Sequence, residues 1–291
     1  MRRLDWFVIL LLVAVVVGGF LREQPAADRT PPILARPPAT APPAASADRL
    51  SLEAFLAAVP PPPRMRFRNT LVIEADATPR RGGSFAGTVW ALAGGGAWLT
   101  ARHVTDRCRR LGILRGERLP AAIGHPEADV SAIPTGRVPA GGLAFSRDPL
   151  QADENVFLVG YPSGRPTAVW ATVTGTGFLD HRQLGHREEV VVVAERRRTP
   201  DFSGDLGGIS GGPVLDADGN VIGSVIGGSA RRARSILSTE RNLAWMAASA
   251  GGATSASLAS AGNGTAISPK NFATATGPLL GGPIRVVRCD R

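Results

Sequence analysis

Three segments of this sequence carry the residue types that amide hydrolysis requires. That reaction needs a nucleophile, a base to take its proton, a group to orient the base, and donors for the developing oxyanion. Gly208-Ile209-Ser210-Gly211-Gly212-Pro213 offers Ser210 as the nucleophile. Its glycines permit a tight turn that aims the N–H groups of Gly208 and Ser210 into one pocket. Ala97 to Val104 reads as a strand running into His103, a candidate base. His125 to Ile133 places Asp129 at the head of an apolar stretch, where it can orient an imidazole. The chain order is His, Asp, Ser, with gaps of 26 and 81 residues.

Taken singly, each residue has an ordinary structural reading. Ser210 fits a turn serine, His103 a strand-end histidine and Asp129 a loop cap, while Asp106 and Asp205 compete as the acid. Order and spacing together favour the catalytic reading. Gly208-x-Ser210-x-Gly212 also fits a nucleophile elbow, but that turn lies between a strand and a helix and needs a histidine downstream. Here a Gly-rich loop precedes Ser210, a proline and a strand follow, and no histidine comes later. His125, His181 and His186 read as surface residues, and His181 with His186 lacks further zinc ligands, so no metal or cofactor is expected.

The elements that must hold these residues read mostly as strands. Short apolar runs cover Ser84 to Leu92, Ala97 to Thr100, Asn155 to Val159, Thr167 to Thr174 and Glu188 to Ala194. Val214-Leu215 and Val221 to Ile226 flank Asp216-Ala217-Asp218-Gly219-Asn220, a hairpin turn. The spacing predicts an all-β sandwich or barrel, which periodicity alone does not separate. Helices are expected at Ser51 to Val59, Asn242 to Ala250 and Pro269 to Leu279, around a small-residue loop at Gly251 to Gly264, with a last strand at Ile284 to Arg288.

The three motifs resemble those of the trypsin-like, chymotrypsin-fold serine proteases, in particular the bacterial HtrA-like branch. There a Leu-Thr-x-x-His-Val segment supplies the base, matching Leu99 to Val104. An Asp-hydrophobic-Ala segment supplies the acid, and Gly-x-Ser-Gly-Gly-Pro the nucleophile and oxyanion hole. Gly87-Thr88-Val89 and Gly160-Tyr161-Pro162 also match that branch, and Ser131 departs from it by standing where alanine is frequent. The likeness spans about Arg66 to Ser229 and includes no PDZ module. It implies a chymotrypsin-like double β-barrel, here with a C-terminal helical and strand extension. It implies serine endopeptidase activity on proteins or peptides through His103, Asp129 and Ser210; the alternative is an inactive protease-fold binding module. Zymogens of this fold carry an Asp directly before the nucleophile. Ile209 occupies that position, so no proteolytic activation is expected.

The appendages suggest where the enzyme works. Met1-Arg2-Arg3 precedes Trp6 to Leu21, sixteen residues without a charge, which reads as a transmembrane signal anchor over residues 1–22. The alternative is a cleaved signal peptide. Residues 23–65 are a Pro/Ala-rich spacer with the short helix near its end, and residues 66–291 the protease domain. Arginine and alanine are abundant and Lys270 is the one lysine, a bias of GC-rich bacterial genomes. The expected location is therefore a bacterial inner membrane with the domain in the periplasm. The net charge of +9 comes from scattered arginines without interleaved aromatics, which argues against a nucleic-acid partner. In an oxidising compartment Cys108 and Cys289, the only cysteines, are expected to pair. Oligomeric state is left open. The stretches Gly204 to Gly207 and Val225 to Ser229 suggest a small or apolar cleavage-site residue, with Asp205 leaving a basic one open.

Overall fold

The computed structural model describes residues 51–58, 72–74, 84–113, 116–137, 141–181, 186–251, 254–257 and 266–291, all within the unit Ala45–Arg291. The expected anchor at 1–22, most of the spacer and Arg80-Arg81 lie outside them. Among the described residues no helix is long and apolar enough to cross a membrane.

The fourteen strands run β1 Val72–Glu74, β2 Ser84–Ala91, β3 Ala97–Thr100, β4 Arg110–Ile113, β5 Arg118–Leu119, β6 Ile123–Gly124, β7 Ser131–Pro134, β8 Asn155–Gly160, β9 Thr167–His181, β10 His186–Thr199, β11 Pro213–Leu215, β12 Val221–Ser229, β13 Arg234–Thr239 and β14 Ile284–Asp290. Among the described residues four α-helices accompany them: α1 Leu52–Ala58, α2 Arg102–Thr105, α3 Glu240–Ser249 and α4 Phe272–Thr276. Strands β8, β9, β10, β13, β12 and β11 pair in a closed ring, while β5-β4-β14-β2-β3-β7-β6 form an open half-barrel. This is an all-β architecture consistent with a double barrel.

The sequence pattern explains the layering. Along β2 the side chains alternate, Val89 and Ala91 entering the half-barrel core with Trp98, Ile133 and Val287. Trp90 turns the other way, into a cluster shared with Leu99, Phe157, Leu215, Met246 and Phe272. The closed barrel is filled by Val156, Leu158, Val173, Val193, Ile209, Val214 and Leu237. A buried aliphatic or aromatic side chain of this kind contributes about 1.5–3 kcal/mol. Helix α3 starts at Thr239, whose side chain accepts a hydrogen bond from Asn242 N–H, and it buries Leu243, Ala244, Met246 and Ala247.

Four features depart from the sequence reading. The C-terminal strand is no extension: β14 lies between β2 and β4, with Cys289 opposite Phe85 and Leu111. Burial on both faces, Ile284 in one core cluster and Val287 and Cys289 in the other, suits it to that interior position. Strands β9 and β10 are longer than expected, because Gly175 and Gly177 and the charged run Glu195 to Arg198 hide their ends from a hydrophobicity pattern. Strand β13 was not anticipated, since its four central residues Ser235 to Ser238 carry only two apolar side chains. Finally, His125 and His181 are not surface residues; each is 8% exposed. The side chain of His186 lies outside the described residues.

Candidate active site

Strand β3 ends at Thr100, and the chain turns directly into α2, which carries His103. Asp129 lies in the short connection between β6 and β7. Because β7 pairs with β3, Thr100 opposite Ser131, that register brings the connection beside α2. His103 Nδ1 meets Asp129 Oδ2 at 2.5 Å, and the His103 N–H donates to Asp129 Oδ1 at 2.8 Å. One carboxylate thus holds both the ring and the main chain of the histidine, fixing the orientation of the ring. Asp106, a rival acid in the sequence, is instead 40% exposed and paired with Arg102 at 3.5 Å.

Several bonds brace this pair. Arg102 donates to the His125 carbonyl at 2.7 Å, tying α2 to the Asp129 connection. His125 packs edge-on against Trp245 of α3, ring centroids 4.4 Å apart. Thr105 donates to the Ser131 hydroxyl at 2.9 Å. Ser131, where the resembling proteases often have alanine, is fully buried and so links the His103 helix to the strand after Asp129. From the chain's other end, Arg291 donates to the His103 carbonyl at 3.2 Å. The disulfide Cys108–Cys289 spans 5.3 Å between Cα atoms and fastens the segment after α2 to β14.

Electrostatics follow from this packing. Burial by itself pulls the His103 imidazole down, but the Asp129 charge, the hydrogen bond to it and the weaker pull of Asp106 outweigh that, leaving its pKa above the ordinary 6.5. Burial likewise pushes Asp129 up, yet the charge and hydrogen bonds of His103, with a contribution from His181, hold it below 3.8.

Ser210 reaches the same place by backbone contact. The Thr88 N–H donates to the Ser210 carbonyl at 2.8 Å, and Thr100 donates its hydroxyl to the Thr88 carbonyl at 2.6 Å. Gly211 has a φ of +85°, and a Cβ there would lie 2.1 Å from Thr100 Oγ1 and 2.8 Å from Ala101 N. Only glycine lets the Ser210 loop press this closely on the segment leading into His103.

The preceding loop is equally fixed. Ser163 N–H donates to the Gly207 carbonyl at 2.7 Å, and Ile209 N–H to the Leu206 carbonyl at 2.9 Å. In a planar trans peptide the Gly208 N–H points away from the Gly207 carbonyl, and hence away from Ser163. Among the described residues the N–H groups of Gly208 and Ser210 donate to nothing. Ile209 is 2% exposed, in the closed-barrel core, and anchors the loop by packing. Asp205 is exposed and accepts from Gly207 N–H at 2.9 Å, capping its own turn.

One contact escaped the sequence reading. Asp129 N–H donates to Glu188 Oε2 at 2.5 Å, and His181 Nε2 meets that oxygen at 2.9 Å. The signal for Glu188 was slight: in β10 Arg187 and Glu189 point out while Glu188 shares the inward phase of Val190. Among the described residues no cluster of metal-ligating side chains occurs.

Residues 85–223 match the family model described as the trypsin-like peptidase domain. The Rv3671c protease from M. tuberculosis in its active form is similar at 19% identity, over 66% of this chain and 94% of that one, with a TM-score of 0.44. An HtrA-type protease, AlgW with a decapeptide, is similar at 20% identity over 54% of this chain and 49% of that one, with a TM-score of 0.43. No curated protein matches the chain.

Proposed function

Since residues 85–223 match the trypsin-like peptidase domain, we propose that the chain is a serine-type peptidase that cleaves proteins or peptides through His103, Asp129 and Ser210 and a covalent acyl-enzyme. The observation that carries this reading is the doubly bonded Asp129–His103 pair, braced against the segment that holds Ser210. His103 takes the Ser210 proton as the hydroxyl attacks the scissile carbonyl, and Asp129 stabilises the imidazolium that results. The N–H groups of Gly208 and Ser210 receive the oxyanion. His103 then gives its proton to the leaving amine, and water repeats the sequence to release the acyl group.

The oxyanion loop rests on Ile209 and Ser163 rather than on an ion pair with a new N-terminus, so the enzyme is active as synthesised. Asp205 is engaged with its own turn, and Gly227 and Gly228 follow a buried Ile226, which favours a small or apolar residue at the cleavage site. The HtrA-like affiliation, the membrane anchor at residues 1–22 and a periplasmic location complete the proposal. They are supported by the motifs, by the apolar N-terminal run and by a disulfide suited to an oxidising compartment.

The test is fluorophosphonate labelling of the full-length chain carrying an uncleavable N-terminal tag. Labelling at Ser210 without trimming, abolished in Ser210→Ala, is expected. Casein cleavage should fall by about 10⁴-fold or more in Ser210→Ala and His103→Ala. A Ser210→Ala protein that cleaves casein at the wild-type rate overturns the mechanism, and labelling that appears only after trimming overturns the claim of constitutive activity.

A further inference from the structure

Behind Asp129 lies a second imidazole–carboxylate pair that the hydrolytic mechanism does not use. His181 and Glu188 have side chains only 8% and 1% exposed. They sit near the turn of the β9–β10 hairpin, where His181 is in register with His186 and Glu188 with Leu179. Leu179 and Val190 on the same hairpin enter the half-barrel core beside Val104 and Ile133. The hairpin belongs to the closed barrel by pairing, but its end is built into the half-barrel that carries His103 and Asp129.

The chemistry of the contact is specific. Glu188 Oε2 accepts two bonds, from the Asp129 main chain at 2.5 Å and from His181 at 2.9 Å. A buried carboxylate is costly unless paired and hydrogen-bonded, and His181 supplies that pairing. Asp129 must present Oδ1 to one atom of His103 and Oδ2 to another. Two bonds from one carboxylate demand a fixed main chain at Asp129, and the acceptor that fixes it is Glu188.

Building on the triad reading above, we propose that Glu188, clamped by His181, is a positioning residue: it sets the main chain of Asp129 and through it the His103 ring. The closed barrel therefore supplies the nucleophile loop and also steers the base. Among the described residues two further charged groups reach His103: Asp106, whose charge acts on it, and Arg291, bonded to its carbonyl. Both approach His103 and neither replaces the bond to Asp129 N–H.

The experiment measures kcat and KM on casein for the full-length wild type, Glu188→Leu, Glu188→Gln and His181→Ala, with thermal unfolding of each. Wild-type activity that depends on Ser210 is established first; its absence would refute the protease reading rather than this one. Glu188→Leu removes the acceptor. It is expected to lower kcat by about 10²-fold, the cost of a misplacement on the order of 1 Å, with KM within about twofold of wild type. In Glu188→Gln the side-chain carbonyl still accepts from Asp129 N–H, so kcat should recover to within about fivefold of wild type. A folded Glu188→Leu protein with wild-type kcat overturns the proposal, as does Glu188→Gln failing as badly as Glu188→Leu. If Glu188→Leu does not fold, His181→Ala decides. Loss of the clamp should lower kcat by about fivefold or more at constant KM, and an unchanged kcat overturns the proposal.

Discussion

A single methyl group placed between the two halves of the site offers a quantitative test. Gly87 in β2 faces both α2 and the nucleophile loop: a Cβ there would lie 2.7 and 2.8 Å from the two methyls of Val104 and 3.1 Å from the Ser210 carbonyl. Ordinary carbon contacts begin near 3.5 Å. Gly87→Ala therefore drives Val104 away by nearly 1 Å and the Ser210 carbonyl by a few tenths. Overpacking of this kind costs about 1–3 kcal/mol of stability. The displacement acts on the residue after His103 and on the nucleophile itself, where a 1 Å error costs about 10²-fold in rate. The assay is kcat on casein together with the rate of fluorophosphonate labelling. Val104→Ala removes both clashing methyls, so Gly87→Ala with Val104→Ala should regain much of the rate, a favourable coupling read from the double-mutant cycle. Wild-type kcat in Gly87→Ala, or a double mutant no better than the single, would refute the placement of Gly87 between base and nucleophile.

Three further predictions rest on other contacts. In the proposed mechanism activity needs neutral His103, whose pKa is raised, so the acid limb of kcat/KM should lie above 6.5. In Asp129→Asn the raising charge is gone while burial remains, and the limb of the residual activity should move to lower pH. The pair's share of stability is present for His103 below 6.5 and lost as pH rises through its folded value; for Asp129 it is present above 3.8 and lost as pH falls through its folded value. The urea-midpoint gap between wild type and Asp129→Asn should thus be widest between those values; a gap that keeps widening at alkaline pH would refute this. In Ser131→Ala the single Thr105 hydroxyl proton turns to the Arg102 carbonyl, 3.1 Å away, so no donor is stranded. It should cost only about 1 kcal/mol by urea midpoint, and a gain in stability would contradict the bracing role. Removing the Cys108–Cys289 bridge, which closes a loop of 181 residues, should lower stability by up to about 5 kcal/mol. Non-reducing mass spectrometry that finds both thiols alkylatable would deny the bridge.

The parts of the site that were legible share one property: their residue types are set by local backbone demands. Gly211 must be glycine to lie against Thr100 and Ala101, and such constraints leave a motif in consecutive positions. The strand leading into His103 and the hairpin at Asp216 to Asn220 were visible for the same reason. In that hairpin Asp216 caps the N–H groups of Asp218 and Asn220. Contacts between distant strands leave no such mark. Glu188 is 59 residues from Asp129, and in Arg187-Glu188-Glu189 only the phase shared with Val190 marks which acid turns inward. The insertion of β14 between β2 and β4 is a matter of strand order, which alternation along one strand does not encode. His125 and His181 looked solvated because a lone histidine gives no hint of the Trp245 or Glu188 awaiting it.

The bridge between Cys108 and Cys289 also changes what a cut does to the molecule. With its ends 181 positions apart, it makes the six strands of the closed barrel, together with β4 to β7 of the half-barrel, part of a single covalent ring. A protease that nicks itself anywhere between residues 108 and 289 opens that ring but releases nothing, since both fragments stay joined through sulfur. Cuts upstream of Ser84, by contrast, free the strands and helix that carry His103, Asp129 and Ser210 from whatever precedes them. Damage inside the ring and liberation from the N-terminal segment are therefore distinguishable by electrophoresis. The first appears only after reduction, and the second appears either way.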